Sequence, residues 1–282
     1  MSACSLPGFD LDVFIRSTLA EDLGQGGDIT SAAVIPADAR FTGVMDSREA
    51  IVAAGLPIAE AFFRKLDPDC EIDRLAADGD RVPAGADLIR IRGNARAMLT
   101  AERSALNIVQ HLSGIATLTR RYADAILGTG AQLLDTRKTI PGLRVLEKYA
   151  VRMGGGTNHR MRLDDAAMIK DNHVAVAGGV GEAVRRAVAA GSGRIIVEID
   201  RIEQIEPAIA AGATHLLLDN MDEATLRESV ELIGGRVPTE ASGGVTLETI
   251  RAKAETGVTY VSVGRITQSA PAVDIGLDFA PV

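Results

Sequence analysis

The sequence predicts an α/β protein in which a mixed α/β segment precedes a parallel β/α barrel, and three observations carry that reading. Six short apolar runs recur at intervals of about 20–35 residues, the spacing of parallel βα units. Helix-like segments separate the later runs, and most of them end in Gly, a common helix stop. No GxGxxG follows any run, so a dinucleotide-binding doubly wound sheet fits less well.

Taken in order, "LDVFIRSTLAEDL" (11–23) carries apolar residues at helical spacing, and the glycines of "GQGG" stop it. Thr30 or Ser31 is the expected cap of the next helix. "DGDRVPAGADLIRIRG" (78–93) predicts two short strands forming a hairpin around a Pro-Gly turn. Such a hairpin would suit a swinging-arm carrier only with a lysine at its tip, and none occurs from 66 to 137, so its role is structural. "AMLTAERSALNIVQHLSGIATLTRRYADAIL" (97–127) predicts a long helical stretch interrupted near Ser113-Gly114. The six strand candidates are "QLLDT", "AAMIKD", "RIIVEID", "HLLLDN", "VPTEAS" and "YVSVG". "GEAVRRAVAAG", "IEQIEPAIAAG", "EATLRESVELIG" and "LETIRAKAETG" are the helices between the later ones.

Composition narrows the function. Hydrophobic residues make up 46% and charged residues 24%, a globular rather than a disordered balance. Apolar stretches are short and interrupted, which predicts no membrane span, and the N-terminus has no signal-peptide pattern. Cys4 and Cys70 form no CxxC, which fits a reducing cytoplasm. The net charge of −8 argues against nucleic-acid binding. The charge is uneven, however: residues 137–170 hold eight Lys/Arg against three Asp/Glu, roughly +5 there and −13 elsewhere. A basic island in an acidic chain suits a small anionic ligand.

A β/α barrel places its site at the C-terminal ends of its strands. Here those ends carry Asp135, Arg137 and Lys138; Lys170 and Asp171; Glu198 and Asp200; Asp219 and Asn220; Glu240, Ser242 and Gly243; and Gly264. Five charged ends are expected to converge on one mouth. Arg137, His159, Arg160 and Lys170 would meet an anion, since Arg matches carboxylate or phosphate bidentately and Lys acts as a point charge. Glu198 and Asp219 could accept from ribose hydroxyls or hold a hydrated Mg²⁺. "EASGG" and "SVG" offer small residues and backbone amides that would cradle a phosphate. The glycines 154–156 allow close backbone approach but are weak evidence alone. His159 alone would read as a core histidine; Arg160 and Lys170 nearby favour a site. His173 is expected to be structural, and His111 and His215 show no partner.

These residues also carry a resemblance. "AERSALNIVQHLSGIAT", "DTRKTIPGLRVLEKYAVRMGGGTNHR", "IKDNH", "VEID", "LLLDNM" and "EASGGV" resemble the quinolinate phosphoribosyltransferase family, with the match running from "EDLGQGGDITS" to "VDIGLDF". The resemblance implies an N-terminal α/β sandwich domain (1–110), an incomplete β/α barrel (111–264) and a tail (265–282) that returns to the first domain. It implies a Mg²⁺-dependent reaction of quinolinate with phosphoribosyl pyrophosphate, giving nicotinate mononucleotide, pyrophosphate and CO₂. Arg137, His159, Arg160 and Lys170 would then grip the two carboxylates, with Arg103 reaching in from the neighbouring subunit of a homodimer. Lys138 would meet the phosphates. Glu198 and Asp219 would hold ribose hydroxyls and the metal. Ser242, Gly243 and Gly264 would bind the 5′-phosphate. The alternatives are a related transferase for another small acid and a catalytically silent ligand-binding relative. One departure is visible: where the family usually has "LTHS", this chain has "ITQS" (266–269), with Arg265 before it.

Overall fold

The computed structural model describes residues 6–279, so Cys4 lies outside the described residues. In chain order, α1 (Leu11–Leu23) and α2 (Ile29–Val34) precede β1 (Arg40–Ser47), β2 (Ile51–Val52), α3 (Leu56–Leu66), β3 (Glu71–Arg74), β4 (Arg81–Val82), β5 (Asp87–Asn94) and the long α4 (Ala95–Ala125). There follow β6 (Gln132–Leu134), α5 (Arg144–Met153), β7 (Ala167–Ile169), α6 (Asp171–Ala177), α7 (Val180–Ala189) and β8 (Ile195–Ile199). The chain continues through α8 (Ile205–Ala211), β9 (His215–Asp219), α9 (Glu223–Ile233), β10 (Thr239–Ser242), α10 (Ile250–Ala254), β11 (Tyr260–Ser262), α11 (Arg265–Gln268) and β12 (Ile275–Phe279). These elements form two compact units, one of residues 6–118, 145–155 and 269–279, the other of 119–144 and 156–268.

The first unit is built on an antiparallel sheet in the order β12-β1-β5-β3. The C-terminal tail does return here: β12 pairs with β1 from Gly43↔Phe279 to Ser47↔Ile275. Helix α3 buries one face through Leu56, Ile58, Ala59, Phe62 and Phe63. Full burial of each such Phe contributes about 1.5–3 kcal/mol. The expected hairpin is not formed. β4 pairs with β2, whereas β5 pairs with β1 and β3, because β5 buries alternate residues and is drawn between two longer partners. The cap of α2 is Asp28 rather than Thr30 or Ser31; its carboxylate accepts from the Ser31 amide at 2.9 Å. His111 also has a partner after all, its Nε2 lying 2.9 Å from Glu147 on α5.

Helix α4 runs unbroken through Ser113-Gly114 for 31 residues, where an interruption was expected. The glycine is there for clearance. A Cβ at Gly114 would stand 2.1 Å from the Pro271 carbonyl oxygen. Ser113 beside it accepts from the Ala54 amide at 3.0 Å, so its hydroxyl is engaged with a neighbouring segment rather than competing for the helix backbone. Gly114→Ala should therefore destabilise the protein by about 1–3 kcal/mol, against the ~1 kcal/mol gain that Ala gives in an open helix. Urea unfolding would read this directly, and a rise in midpoint would refute the clearance argument.

The second unit carries six parallel strands in the order β6-β11-β10-β9-β8-β7. Of these six, the first in chain order, β6, lies beside the last, β11, as a barrel requires, but β6 and β7 stand at opposite ends of the order, so the barrel is incomplete. Beyond β6 the chain adds only a bridge, Leu134↔Thr157. Residues on alternate positions share a face. One face thus receives Met168 and Lys170, Ile196 and Glu198, His215, Leu217 and Asp219, Glu240 and Ser242, and Tyr260, Ser262 and Gly264 in register. Ala166, Ile196 and Leu217 form an apolar cluster there, with Met168 packed on it.

Candidate active site

A cavity of about 640 Å³ opens in the second unit at the C-terminal ends of these strands. That size suits small-molecule ligands. Arg137, Lys138, His159, Arg160, Lys170, Glu198, Asp219, Ser242, Gly243 and Gly264 all line it. Arg103 does not; it lies exposed on α4 in the first unit.

Not every charged strand end reaches the cavity. Asp135 is fully buried and serves the backbone: it accepts from the Asn158 side chain at 2.6 Å and from the His159 amide at 2.8 Å. Asp171 opens α6 and Asp200 follows β8, both exposed and outside the lining. His173 is structural, its Nδ1 accepting from the Lys170 amide at 3.0 Å.

Two of the lining cations lie close together. Asp135 and the Thr157 bridge bring the 157–160 segment beside the end of β6, so Arg160 and Arg137 approach each other. Burial, then the like charge of Arg137, press the Arg160 guanidinium below its usual value, with Asp165 partly offsetting them. Arg160 Nη1 also donates to the Ala166 carbonyl at 2.8 Å. Two guanidiniums this close together in one cavity have the charge to meet an anion. Lys170, at the end of β7, forms an ion pair with Glu198 across the neighbouring strand end.

Another part of the lining is built from small residues and backbone. Gly243 has φ +90°, and a Cβ there would stand 2.1 Å from Asn220 Oδ1, so β10 must leave the sheet through glycine. Asn220 has φ +56°, in the left-handed region that Asn tolerates, and its side chain donates to Asp219 Oδ2 at 2.6 Å. The Lys138 loop is pinned at both ends. Its amide donates to Thr136 Oγ1 at 3.0 Å, and its carbonyl accepts from Thr267 Oγ1 at 2.7 Å. Thr267 belongs to the "ITQS" segment, whose Gln268 lines the cavity together with Arg265.

Residues given no role from sequence also line it. Met168 and Leu217 supply an apolar wall, and Ser262 and Glu240 belong to the floor. Alternation would have pointed to all four once strand register was known. His215, expected to lack a partner, lies with its Nε2 3.0 Å from Glu240 Oε2 and stacks on Tyr260 at 5.5 Å. His159 Nε2 is 3.3 Å from the same oxygen. Burial alone would raise the Glu240 carboxyl, but the imidazoles of His159 and His215 and the Ser262 hydroxyl outweigh it and bring it down to about 2. A carboxyl depressed in the folded state stabilises the fold above its unfolded value near 4.5, and this contribution is lost as pH falls towards about 2. The sum is on the order of 3 kcal/mol. Acid unfolding of Glu240→Gln, followed by circular dichroism, should consequently lose much of the steepness that the native protein shows between pH 4.5 and 2.

Among the described residues, no group of three or more His, Cys, Asp or Glu is placed to hold a metal by itself. Glu198 and Asp219 are the carboxylates at the cavity rim. Such a pair fits Mg²⁺, which takes one or two protein carboxylates and completes its shell with water and substrate phosphates.

Comparison with known proteins agrees with this architecture. Residues 28–113 match the family model for the quinolinate phosphoribosyl transferase N-terminal domain, and residues 115–278 match that for its C-terminal domain. A nicotinate-nucleotide pyrophosphorylase (carboxylating) of Mycobacterium leprae is 45% identical over 94% of this chain and 95% of its own length. A mitochondrial quinolinate phosphoribosyltransferase (decarboxylating) of Nicotiana tabacum is 42% identical over 96% of this chain and 82% of its own. The solved nicotinate-nucleotide pyrophosphorylase of Francisella tularensis superposes with a TM-score of 0.92 at 39% identity, covering 98% of this chain and 99% of that one. With both domain models matched in order along one chain, the protein belongs to the quinolinate phosphoribosyl transferase family.

Proposed function

We propose that this protein transfers the phosphoribosyl group of phosphoribosyl pyrophosphate to quinolinate and decarboxylates the product to nicotinate mononucleotide, a step of NAD synthesis. The observation that carries the reading is the Arg137–Arg160 pair at one end of the cavity, because a pyridine with two adjacent carboxylates is the dianion that such a pair would accept. Lys170 would add a third positive charge, and His159 lines the same end. Met168 and Leu217 would face the ring. At the other end, Lys138 would meet the pyrophosphate. Ser242, Gly243 and Gly264 would take the 5′-phosphate, and Glu198 and Asp219 the ribose hydroxyls.

As the C1–O bond to pyrophosphate breaks, positive charge grows on the anomeric carbon and negative charge on the leaving group. Lys138 stabilises the second, and Glu198 or Asp219 the first. The ring nitrogen then bonds to C1. The carboxylate beside that nitrogen leaves as CO₂, its electron pair stays on the ring carbon next to the pyridinium, and that carbon takes a proton from water. No dedicated base is required; the protein positions two anions that repel each other. Mg²⁺ held at Glu198 and Asp219 would offset the charge of the departing pyrophosphate.

Arg103 lies outside this cavity, and we place it in the active site of a second copy, so that a homodimer is the minimal active unit. Among the described residues no helix is long and apolar enough to cross a membrane. A cytoplasmic location is supported by the two cysteines, which form no redox pair in sequence.

The test is to incubate the purified protein with Mg²⁺, phosphoribosyl pyrophosphate and either quinolinate or nicotinate. Nicotinate mononucleotide and CO₂ from quinolinate, with nothing from nicotinate, is the expected result. Turnover of another acid but not of quinolinate would transfer the site to the related transferase. No turnover of any acid by folded dimer would mark a silent relative.

A further inference from the structure

The floor of the cavity holds an arrangement that the reaction above does not use. The Glu240 carboxylate is fully buried, and one of its oxygens faces two imidazoles, His159 Nε2 at 3.3 Å and His215 Nε2 at 3.0 Å. Both approaches are bent rather than in line. The far nitrogen of each ring is also occupied. His159 Nδ1 receives the Arg160 amide at 2.7 Å, and His215 Nδ1 lies 3.4 Å from the Arg194 guanidinium. A nitrogen that accepts an N–H carries no proton, so in both rings the proton sits on Nε2, facing Glu240. One carboxylate thus lies against the protonated nitrogen of two histidines.

The chain of contacts leads from there to the anion site. Tyr260 stacks on His215 with the planes 12° apart, which holds that ring flat. His215 and Glu240 fix the His159 ring from below, while the His159 amide is tied to Asp135 at 2.8 Å. The ring then accepts the Arg160 amide, and the Arg160 guanidinium is held separately by Ala166. A buried carboxylate under an anion site would oppose binding unless its charge were answered. Here two imidazole edges and the Ser262 hydroxyl surround it, so the carboxylate is held within the floor and packs the imidazoles in place.

We infer that Glu240 and His215 are positioning residues, which act through His159 to hold the Arg160 backbone in the orientation that accepts the carboxylates of quinolinate. The inference deepens the proposed function and rests on its substrate. Both nitrogens of His159 are engaged in this arrangement, so its contribution is made through the 159–160 backbone. Glu240→Gln keeps the shape but removes the charge, so the oxygen shared by the two imidazoles becomes the weaker acceptor of an amide.

The experiment has two arms. The first needs no substrate: ¹⁵N NMR of histidine-labelled, ligand-free protein should find His159 protonated at Nε2 and bare at Nδ1, and Glu240→Gln should alter that pattern. The second is calorimetry. Glu240→Gln should weaken quinolinate about 10- to 100-fold while phosphoribosyl pyrophosphate stays within about twofold, as expected for the loss of one charged hydrogen-bond network. His215→Leu, which removes the second donor, should shift quinolinate in the same direction, and His215→Gln, which keeps an N–H for Glu240, should restore most of the affinity. Equal weakening of both substrates, or an unchanged quinolinate affinity in Glu240→Gln, would overturn the inference. If the Glu240 variant does not fold, the His215 pair decides by the same criterion. If native protein binds no quinolinate yet Glu240→Gln still alters the His159 pattern, the substrate assignment falls while the positioning stands. A His159 ring protonated at Nδ1 in native protein would remove the positioning itself.

Discussion

Lys138→Ala is expected to lower kcat by about 100- to 1,000-fold, the range found when one preorganised donor to a developing anion is removed. The size follows from how firmly the residue is held. Its amide and carbonyl are tied to Thr136 and Thr267, so the side chain starts from a fixed point at the cavity rim. Its stem passes over Gly264, where an added Cβ would meet Lys138 Cδ at 2.8 Å. The stem thus leaves the backbone from a fixed point at the rim, which limits the reorganisation needed when pyrophosphate departs. Quinolinate affinity should change by less than about twofold. Steady-state kinetics with calorimetry separates the two effects. A fall in kcat under about tenfold would make Lys138 a bystander to the leaving group.

Arg137→Ala is expected to weaken quinolinate by about 10- to 150-fold, the equivalent of one charge-assisted hydrogen bond of ~1.5–3 kcal/mol. Its effect on stability should have the opposite sign. Burial and then the like charge of Arg137 depress the Arg160 guanidinium, so removing Arg137 relieves the second of these burdens in the empty protein. The melting temperature should hold or rise while binding collapses, the pattern of a residue kept for function at a cost in stability. Lys170→Ala should behave differently. It strips the partner from Glu198, which is largely buried at 14% exposure, so both affinity and melting temperature should fall. Scanning calorimetry on the two variants side by side would show the contrast, and a parallel loss in both would argue against like-charge strain at Arg137.

What the sequence revealed depended on distance along the chain. Strand ends are local, so an apolar run closing in Lys170, Glu198 or Asp219 announces its rim residue without any knowledge of partners. Continuity of α4 was hidden because the reason for Gly114 is the Pro271 carbonyl, far along the chain. The supposed hairpin failed for the same cause: β4 and β5 are neighbours in sequence, yet each prefers a remote strand. His215 and Glu240 meet only through the register of β9 and β10, in which Leu217 stands opposite Glu240, and no spacing rule reaches across that. Asp135, Asp171 and Asp200 show the reverse error. Charge at a strand end does not say whether the side chain turns into the cavity, under it, or away.

The gap between β6 and β7 has a consequence for adaptation. The sheet reads β6-β11-β10-β9-β8-β7, and among the described residues the segment after β6 pairs with it by a single bridge at Thr157. Two of the residues that would grip the acid, His159 and Arg160, ride on that segment, whereas Lys170, Met168 and Leu217, like those that would hold ribose and phosphate, belong to the strands and their ends. Substrate choice and structural framework are thus partly modular. Exchanging residues 160–165 should retune which acid is admitted with little penalty to the sheet, while the phosphoribosyl end, built into strands that pair on both sides, is the part that such a protein cannot revise.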